Sequence, residues 1–302
     1  MLCICKSEFL RECLYTKNEI LLIIPECYRM LKKIIEHKDL RIGYEVLGNS
    51  STKIIALHGH GRSPKDFYFL QEHGQVFALD IFFHGNSSYP EERIESNPIV
   101  SKEFFEAFKA LLHSEKIEKL HIVAFSQGGR FILSILPFIE NQVLSIQLIS
   151  PDGMDNNSFY NKMSRSKLAR KLFRYFEEHP SRFQRFSFLA YKLKLMRPKV
   201  FKFVQKFSNE PETFSRASKT WRGFRLIQAN DKALKSYLHN NTTRFKIIMG
   251  EHDQIIRTQQ AKKFLKRIGK ENALTEIDCG HDFFGEHNKS LLQETICREF
   301  LR

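Results

Sequence analysis

The sequence of 302 residues has one tryptophan, nine prolines and 14 glycines, too little proline and glycine for a collagen-like or low-complexity chain. It also lacks a run of the roughly 20 apolar residues that a membrane-spanning helix needs. The longest apolar stretch near the N-terminus, Ile20 to Ile24, stops at Pro25 and has no small-residue cleavage site behind it. The expected location is therefore the cytoplasm. Cysteine is scarce as well. Of the six, Cys3, Cys5, Cys13 and Cys27 crowd the first segment, while Cys279 and Cys297 lie near the other end. No C-x-x-C pair and no paired histidine accompanies them, so neither a zinc site nor a disulfide framework is expected, and the thiols read as reduced.

What the chain does have is aromatic bulk and positive charge. Phenylalanine alone occurs 28 times, and the hydrophobic fraction of 42% is that of a folded globular protein. Lysine and arginine number 48 against 34 acidic residues, a net charge of +14. Residues 153–243 hold 20 of the basic residues and only six of the acidic ones, which leaves 28 of each elsewhere. The whole surplus sits in one segment.

From Met30 onward the pattern alternates strand and helix. Lys32–His37 and Leu40–Leu47 read as a hairpin turning at Lys38 and Asp39. Thr52–Leu57, Gln75–Ile81, Leu120–Phe125, Leu144–Ser150, Phe245–Met249 and Ala273–Asp278 read as further strands. Helical spacing marks Ser101–His113, Gly128–Ile139, Thr258–Ile268 and Ser290–Leu301. Such alternation implies an α/β protein with a mostly parallel central sheet and helices on both faces. Residues 1–29 form an extension of uncertain status, with Met30 an alternative start. Residues 30–152 and 244–302 form the core, and 153–243 a basic helical insertion after the sixth strand.

Val123-Ala124-Phe125-Ser126-Gln127-Gly128-Gly129 stands where a short apolar strand meets a helix. A nucleophile on so sharp a turn needs small residues two positions to either side, and Ala124 and Gly128 supply them. Ser126 alone would also read as a helix N-cap. Downstream, Gly250-Glu251-His252-Asp253 and Gly280-His281-Asp282 follow two later strands. Serine, aspartate and histidine thus fall at strand ends in the chain order Ser126, Asp253, His281.

With His58-Gly59-His60-Gly61 after the third strand, and Asp80 with His84-Gly85-Asn86-Ser87 after the fourth, the chain from Met30 onward resembles the α/β-hydrolase superfamily with a helical cap. The resemblance implies Ser126 as nucleophile, His281 as general base and Asp253 as its acid, with Asp152 after the sixth strand as the alternative acid. It also implies backbone N–H donors from His60 and Gln127 to an oxyanion, a cap over 153–243, and no metal or organic cofactor. Phe83 stands where that motif usually has glycine, so the turn there is expected to differ locally. Asp278 and Asp282 lie too close to His281 in sequence to orient its ring.

The activity implied is hydrolysis of a small or medium ester or thioester through an acyl-enzyme. Two alternatives stand beside it. One is carbon–carbon hydrolysis, or pyruvate elimination of the menaquinone-pathway type, since Ser126-Gln127-Gly128-Gly129-Arg130 is similar to that enzyme's elbow. The other is a non-catalytic ligand-binding protein on the same scaffold. The basic segment suggests an anionic small-molecule substrate, or peripheral contact with an anionic membrane; no nucleic-acid motif accompanies it. Trp221, Arg222, Phe224 and Arg225 form an aromatic and basic cluster that could line a pocket or belong to the core of a cap helix.

Overall fold

A computed structural model describes residues 30–298 apart from 141, 156–158, 197, 199–200, 203 and 206–209. The N-terminal extension and its four cysteines lie outside the described residues. Eight strands form one sheet: β1 (Leu31–His37), β2 (Leu40–Leu47), β3 (Lys53–Leu57), β4 (Gln75–Leu79), β5 (Lys119–Phe125), β6 (Gln142–Ile149), β7 (Arg244–Gly250) and β8 (Leu274–Ile277). Their spatial order is β1-β2-β4-β3-β5-β6-β7-β8. The β1–β2 and β2–β4 pairs are antiparallel, and every pair from β4 to β8 is parallel.

The chemistry of the strands explains this arrangement. Ile54 to Leu57 in β3 and Leu120 to Phe125 in β5 are buried throughout, as strands covered on both faces must be. One face packs on Phe104, Phe108, Phe131 and Phe264, the other on Phe67, Phe283, Leu292 and Ile296. Helix Ser101–Ser114 buries Phe104, Ala107, Phe108, Leu111 and Leu112, the stripe its spacing announces.

Two boundaries differ from the sequence pattern for identifiable reasons. The helix expected to reach Ile139 ends at Ile135 and continues as one 3₁₀ turn, Leu136–Phe138. Pro137 has no N–H to continue the ladder, and its ring opposes the preceding turn. The last helix begins at Glu286, earlier than the apolar pattern, because Gly285 caps it through its carbonyl, which accepts from Asn288 and Lys289.

Between β6 and β7 lie helices Phe159–Arg165, Lys167–Glu178, Pro180–Lys192, Pro211–Gly223 and Asp231–Asn240. The last packs on the sheet side, placing Leu234 and Leu238 in the main core. Helices Lys167–Glu178 and Pro211–Gly223 are fastened to the chain after β4 by buried arginines. Arg170 and Arg222 both reach the Glu95 carboxylate, at 2.9 and 2.8 Å, and Arg222 also pairs with Glu177 at 2.5 Å. Arg225 donates to the backbone carbonyls of Ile94 and Glu95. Of the cluster that could have lined a pocket, Arg222 and Arg225 join the helices to the core, and Arg225, with Trp221 and Phe224, also borders a small space beside Gln127.

Candidate active site

Because β3, β5, β6, β7 and β8 run parallel, their C-terminal ends meet along one edge, and the chemistry-bearing residues follow those ends. Ser126 leaves β5 with φ 46° and ψ −113°, a conformation L-residues rarely adopt. It persists because the surroundings over-determine it. The Ser126 N–H donates to Ile149 O at 2.9 Å, and its carbonyl accepts from Gly129 and Asp152 at 3.0 and 2.8 Å. Glycine is required at the next positions. A Cβ on Gly128 would lie 2.4 Å from Leu57 O, and one on Gly129 would lie 2.5 Å from Pro151 Cβ.

His281 follows β8 and places Nε2 3.2 Å from Ser126 Oγ. Its Nδ1 lies 2.6 Å from Asp253 Oδ2. With the carboxylate accepting at Nδ1, the proton sits there and the Nε2 lone pair faces the serine hydroxyl. The ring also lies against Phe125, at 5.1 Å between centroids. Asp253, whose side chain is fully buried, accepts three more hydrogen bonds: from Ser150 Oγ at 2.6 Å and from the N–H groups of Ile255 and Ile256 at 2.8 and 2.9 Å. Burial alone would raise its pKa. The hydrogen bonds from His281, Ser150 and Ile256 outweigh that and hold the carboxyl below its usual range.

Asp152 does not reach the histidine. Arg130, itself buried, holds both its oxygens at 2.7 and 3.0 Å. Asp278 and Asp282 are exposed and pair with His252 and Arg62. Ser150 escaped the sequence reading, although its position at the end of β6, level with Ser126, was the available signal. It too has a positive φ, 38°.

The loop His58–Gly61 lies against the turn at Ser126. A Cβ on Gly59 would come within 2.7 Å of the Phe125 ring and 3.1 Å of Ser126 Cβ. The loop's shape is held by two buried histidines. His58 donates from Nδ1 to Gly59 O at 2.7 Å and accepts from the Ile81 N–H at 3.3 Å. His84 accepts the Gly61 N–H at Nε2, 2.8 Å away, and burial with the nearby His58 lowers its pKa to about 3. His60 lies beside them, its pKa lowered to about 4 by burial, Arg216 and His58. Its Nδ1 is 3.5 Å from Thr220 Oγ1 on helix Pro211–Gly223. The Gln127 N–H is the first of its helix and has no intrahelical acceptor.

At Phe83, where the resembled motif has glycine, the turn is held by its own hydrogen bonds. Phe83 takes φ 65°, the left-handed region. Its N–H donates to Ser87 O at 2.9 Å, the Ser87 hydroxyl donates to Asp80 O at 2.7 Å, and the Asp80 carboxylate accepts the Asn86 N–H at 3.0 Å. Contacts with Tyr89 at 4.9 Å and Phe224 at 5.9 Å compensate the strained backbone.

Above Gln127, the space bounded by Arg130, Asn161, Thr220, Trp221 and Phe224 is only ≈ 180 Å³. The Gln127 side-chain oxygen is buried there without a hydrogen-bond partner. Among the described residues, Glu251, His252 and Asp278 bring possible metal-ligand atoms within 4.8 Å of one another. All three are exposed, and acidic surface groups commonly stand so without an ion.

Comparison with known proteins bears on the fold. One curated relative, the dihydrolipoyllysine-residue acetyltransferase component of the acetoin cleaving system of Cupriavidus necator, is 28% identical over 129 residues, 41% of this chain. The chain spans about a third of that relative's length (33%). The structure resembles the 2-hydroxy-6-oxo-6-phenylhexa-2,4-dienoate hydrolase of Rhodococcus sp., with a TM-score of 0.60, 20% identity, and 91% and 99% of the two chains covered. It also resembles an esterase of Exiguobacterium antarcticum, with a TM-score of 0.61, 17% identity, and 89% and 99% covered. The alpha/beta hydrolase fold family matches residues 54–288, which run from the third strand through the serine, the aspartate and the histidine, and the chain belongs to that family.

Proposed function

We propose that this protein is a serine hydrolase that cleaves a carboxylic ester or thioester through an acyl-enzyme. The observation that carries the reading is the position of His281, 3.2 Å from Ser126 Oγ on one side and 2.6 Å from a buried, four-times hydrogen-bonded Asp253 on the other. Ser126 Oγ attacks the carbonyl carbon while His281 Nε2 takes its proton. Asp253 holds the ring's tautomer and stabilises the imidazolium. The carbonyl oxygen, now an oxyanion, accepts from the backbone N–H groups of Gln127 and His60. His281 then protonates the departing alcohol or thiol, and water repeats the sequence to release the acid.

The helices between β6 and β7 act as a cap. The gap of ≈ 180 Å³ between Gln127 and helix Pro211–Gly223 includes open solvent and has no enclosed room for a ligand, so a substrate that binds there needs that helix to shift. A second reading, carbon–carbon cleavage of an anionic substrate, draws support from Arg216. It is half-buried, makes no ion pair or hydrogen bond with the described residues, and bears electrostatically on His60 and His84.

The test is labelling by a fluorophosphonate probe. Wild-type protein is expected to react, and Ser126→Ala to lose all labelling. Labelling that survives the substitution would remove Ser126 as nucleophile. Labelling without turnover of p-nitrophenyl esters would favour the second reading.

A further inference from the structure

Among the described residues, seventeen large hydrophobic side chains are exposed, and ten of them fall between Met163 and Leu195. Two consecutive helices carry most of them. On helix Lys167–Glu178, Leu168, Leu172 and Tyr175 recur at the spacing of one helix face, next to the buried face that holds Ala169 and Phe176. On and just after helix Pro180–Lys192, Phe186, Leu189 and Leu193 recur the same way. These are not marginal exposures: Leu168 is 78% exposed, Leu189 55% and Leu193 59%.

Positive charge borders both stripes. Lys167, Lys171 and Arg174 flank the first, while Arg182, Arg185 and Lys192 flank the second, and all six are exposed. Between Phe159 and Met196 the only acidic residues are Glu177, turned inward to Arg222, and Glu178, paired with Arg174. The buried arginines that fasten helix Lys167–Glu178 to the core are different residues; of the exposed cations, Arg174 pairs with Glu178 and Arg182 donates to Tyr175, both at the surface. The two helices are joined by a single residue, His179, and their aromatic rings interlock, with Phe176 5.0 Å from Phe183 and 5.4 Å from Phe186.

We propose that the helices Lys167–Glu178 and Pro180–Lys192 form a docking surface for an anionic lipid membrane, on which the protein rests peripherally. The chemistry selects this occupant. Exposed leucine and phenylalanine gain by entering the boundary between headgroups and acyl chains, and the bordering cations gain from anionic headgroups. A nucleic acid would use the cations and leave the apolar stripes in water. A second copy of the chain would cover the stripes but bring like charges together. No described helix is long and apolar enough to cross a bilayer, so the contact is with its surface. The proposal does not depend on catalysis.

Sedimentation with vesicles tests it, using the full chain carrying Ser126→Ala so that turnover plays no part. Binding is expected to vesicles of phosphatidylcholine mixed with phosphatidylserine, to be far weaker to phosphatidylcholine alone, and to fall as salt is raised. Lys167→Glu with Lys171→Glu should weaken binding by roughly 30-fold or more, since each lost charge near the surface is worth about a fivefold change. Leu168→Ser with Leu172→Ser, and separately Phe186→Ser with Leu189→Ser, should weaken it at any salt concentration. Each variant is checked for an unchanged unfolding midpoint, and the two apolar pairs serve as each other's replacement should one fail to fold. No binding at low salt overturns the proposal. So does binding that the variants leave unchanged, tighter binding to nucleic acid than to the mixed vesicles, or self-association that protects both stripes.

Discussion

Replacing Asp253 by asparagine exchanges one oxygen for an NH₂ group, and its consequence follows from the four hydrogen bonds that the carboxylate accepts. Oδ1 receives the N–H groups of Ile255 and Ile256, so an asparagine oxygen is held at that position. The new NH₂ then takes the place of Oδ2, facing Ser150 Oγ and His281 Nδ1. The serine hydroxyl can turn and accept. His281 must offer a lone pair at Nδ1, which moves its proton to Nε2, and an N–H then faces Ser126 where a lone pair is required. An imidazole in that tautomer cannot take the serine proton, and the support for its positive charge is gone as well. The expected loss in kcat is on the order of 10⁴, about 5 kcal/mol of transition-state stabilisation. Folding should suffer less, by about 1–3 kcal/mol, because the site stays hydrogen-bonded but loses a charged acceptor. Both quantities are measurable on one preparation, by p-nitrophenyl ester turnover and by urea unfolding. Asp152→Asn is the comparison, since Asp152 is engaged with Arg130 and should leave kcat within about tenfold of wild type. If Asp253→Asn retained activity while Asp152→Asn lost it, the assignment of the acid would be refuted.

Three further outcomes follow from other parts of the structure. Phe83→Gly relieves a left-handed phenylalanine worth about 1–2 kcal/mol but loses ring contacts with Tyr89 and Phe224 and adds unfolded-chain entropy, so thermal unfolding should show a net destabilisation of about 1 kcal/mol. His60 and His84, with folded pKa values lowered to about 4 and about 3, make the folded state bind fewer protons than the unfolded one below pH 6.5. Stability is therefore complete above that pH and declines as pH falls toward 4, by on the order of 2–3 kcal/mol per histidine. Urea unfolding across that range reads the slope, and His60→Gln should flatten it. Arg222→Ala leaves the Glu95 and Glu177 carboxylates short of a buried partner and should cost about 3–5 kcal/mol by urea unfolding.

Much of the architecture was legible because strand and helix periodicities are local. The strands from Lys53 to Ile277 lie close to their apolar runs, and helix Thr258–Ile268 has the bounds its pattern gave. The turn at Ser126 was legible for a related reason: close packing of strand on helix leaves no room for a side chain at Gly128. The 3₁₀ segment Pro64–Glu72 was not, since its buried Pro64, Phe67 and Leu70 recur every three residues, the 3₁₀ repeat, over a stretch too short to stand out from the helical one. Nor could the arginines be sorted. Arg130, Arg170, Arg222 and Arg225 look in sequence like the exposed cations beside them, and they differ only in having Asp152, Glu95, Glu177 or backbone carbonyls within reach.

The sequence by itself therefore determined the order of the elements, the family, and the placing of Ser126, two candidate carboxylates (Asp152 and Asp253) and His281 at strand ends. Tertiary structure alone decided which carboxylate meets the histidine, because Asp253 lies 127 positions beyond Ser126 and only the parallel register of β5, β6 and β7 brings their ends together. It decided too that the Ser150 hydroxyl completes Asp253's hydrogen bonding, and that part of the basic segment's charge is spent inside the fold while the rest faces outward between exposed leucines and phenylalanines. Periodicity reports which way a side chain points along its own element. Which partner waits there is a property of the assembled chain.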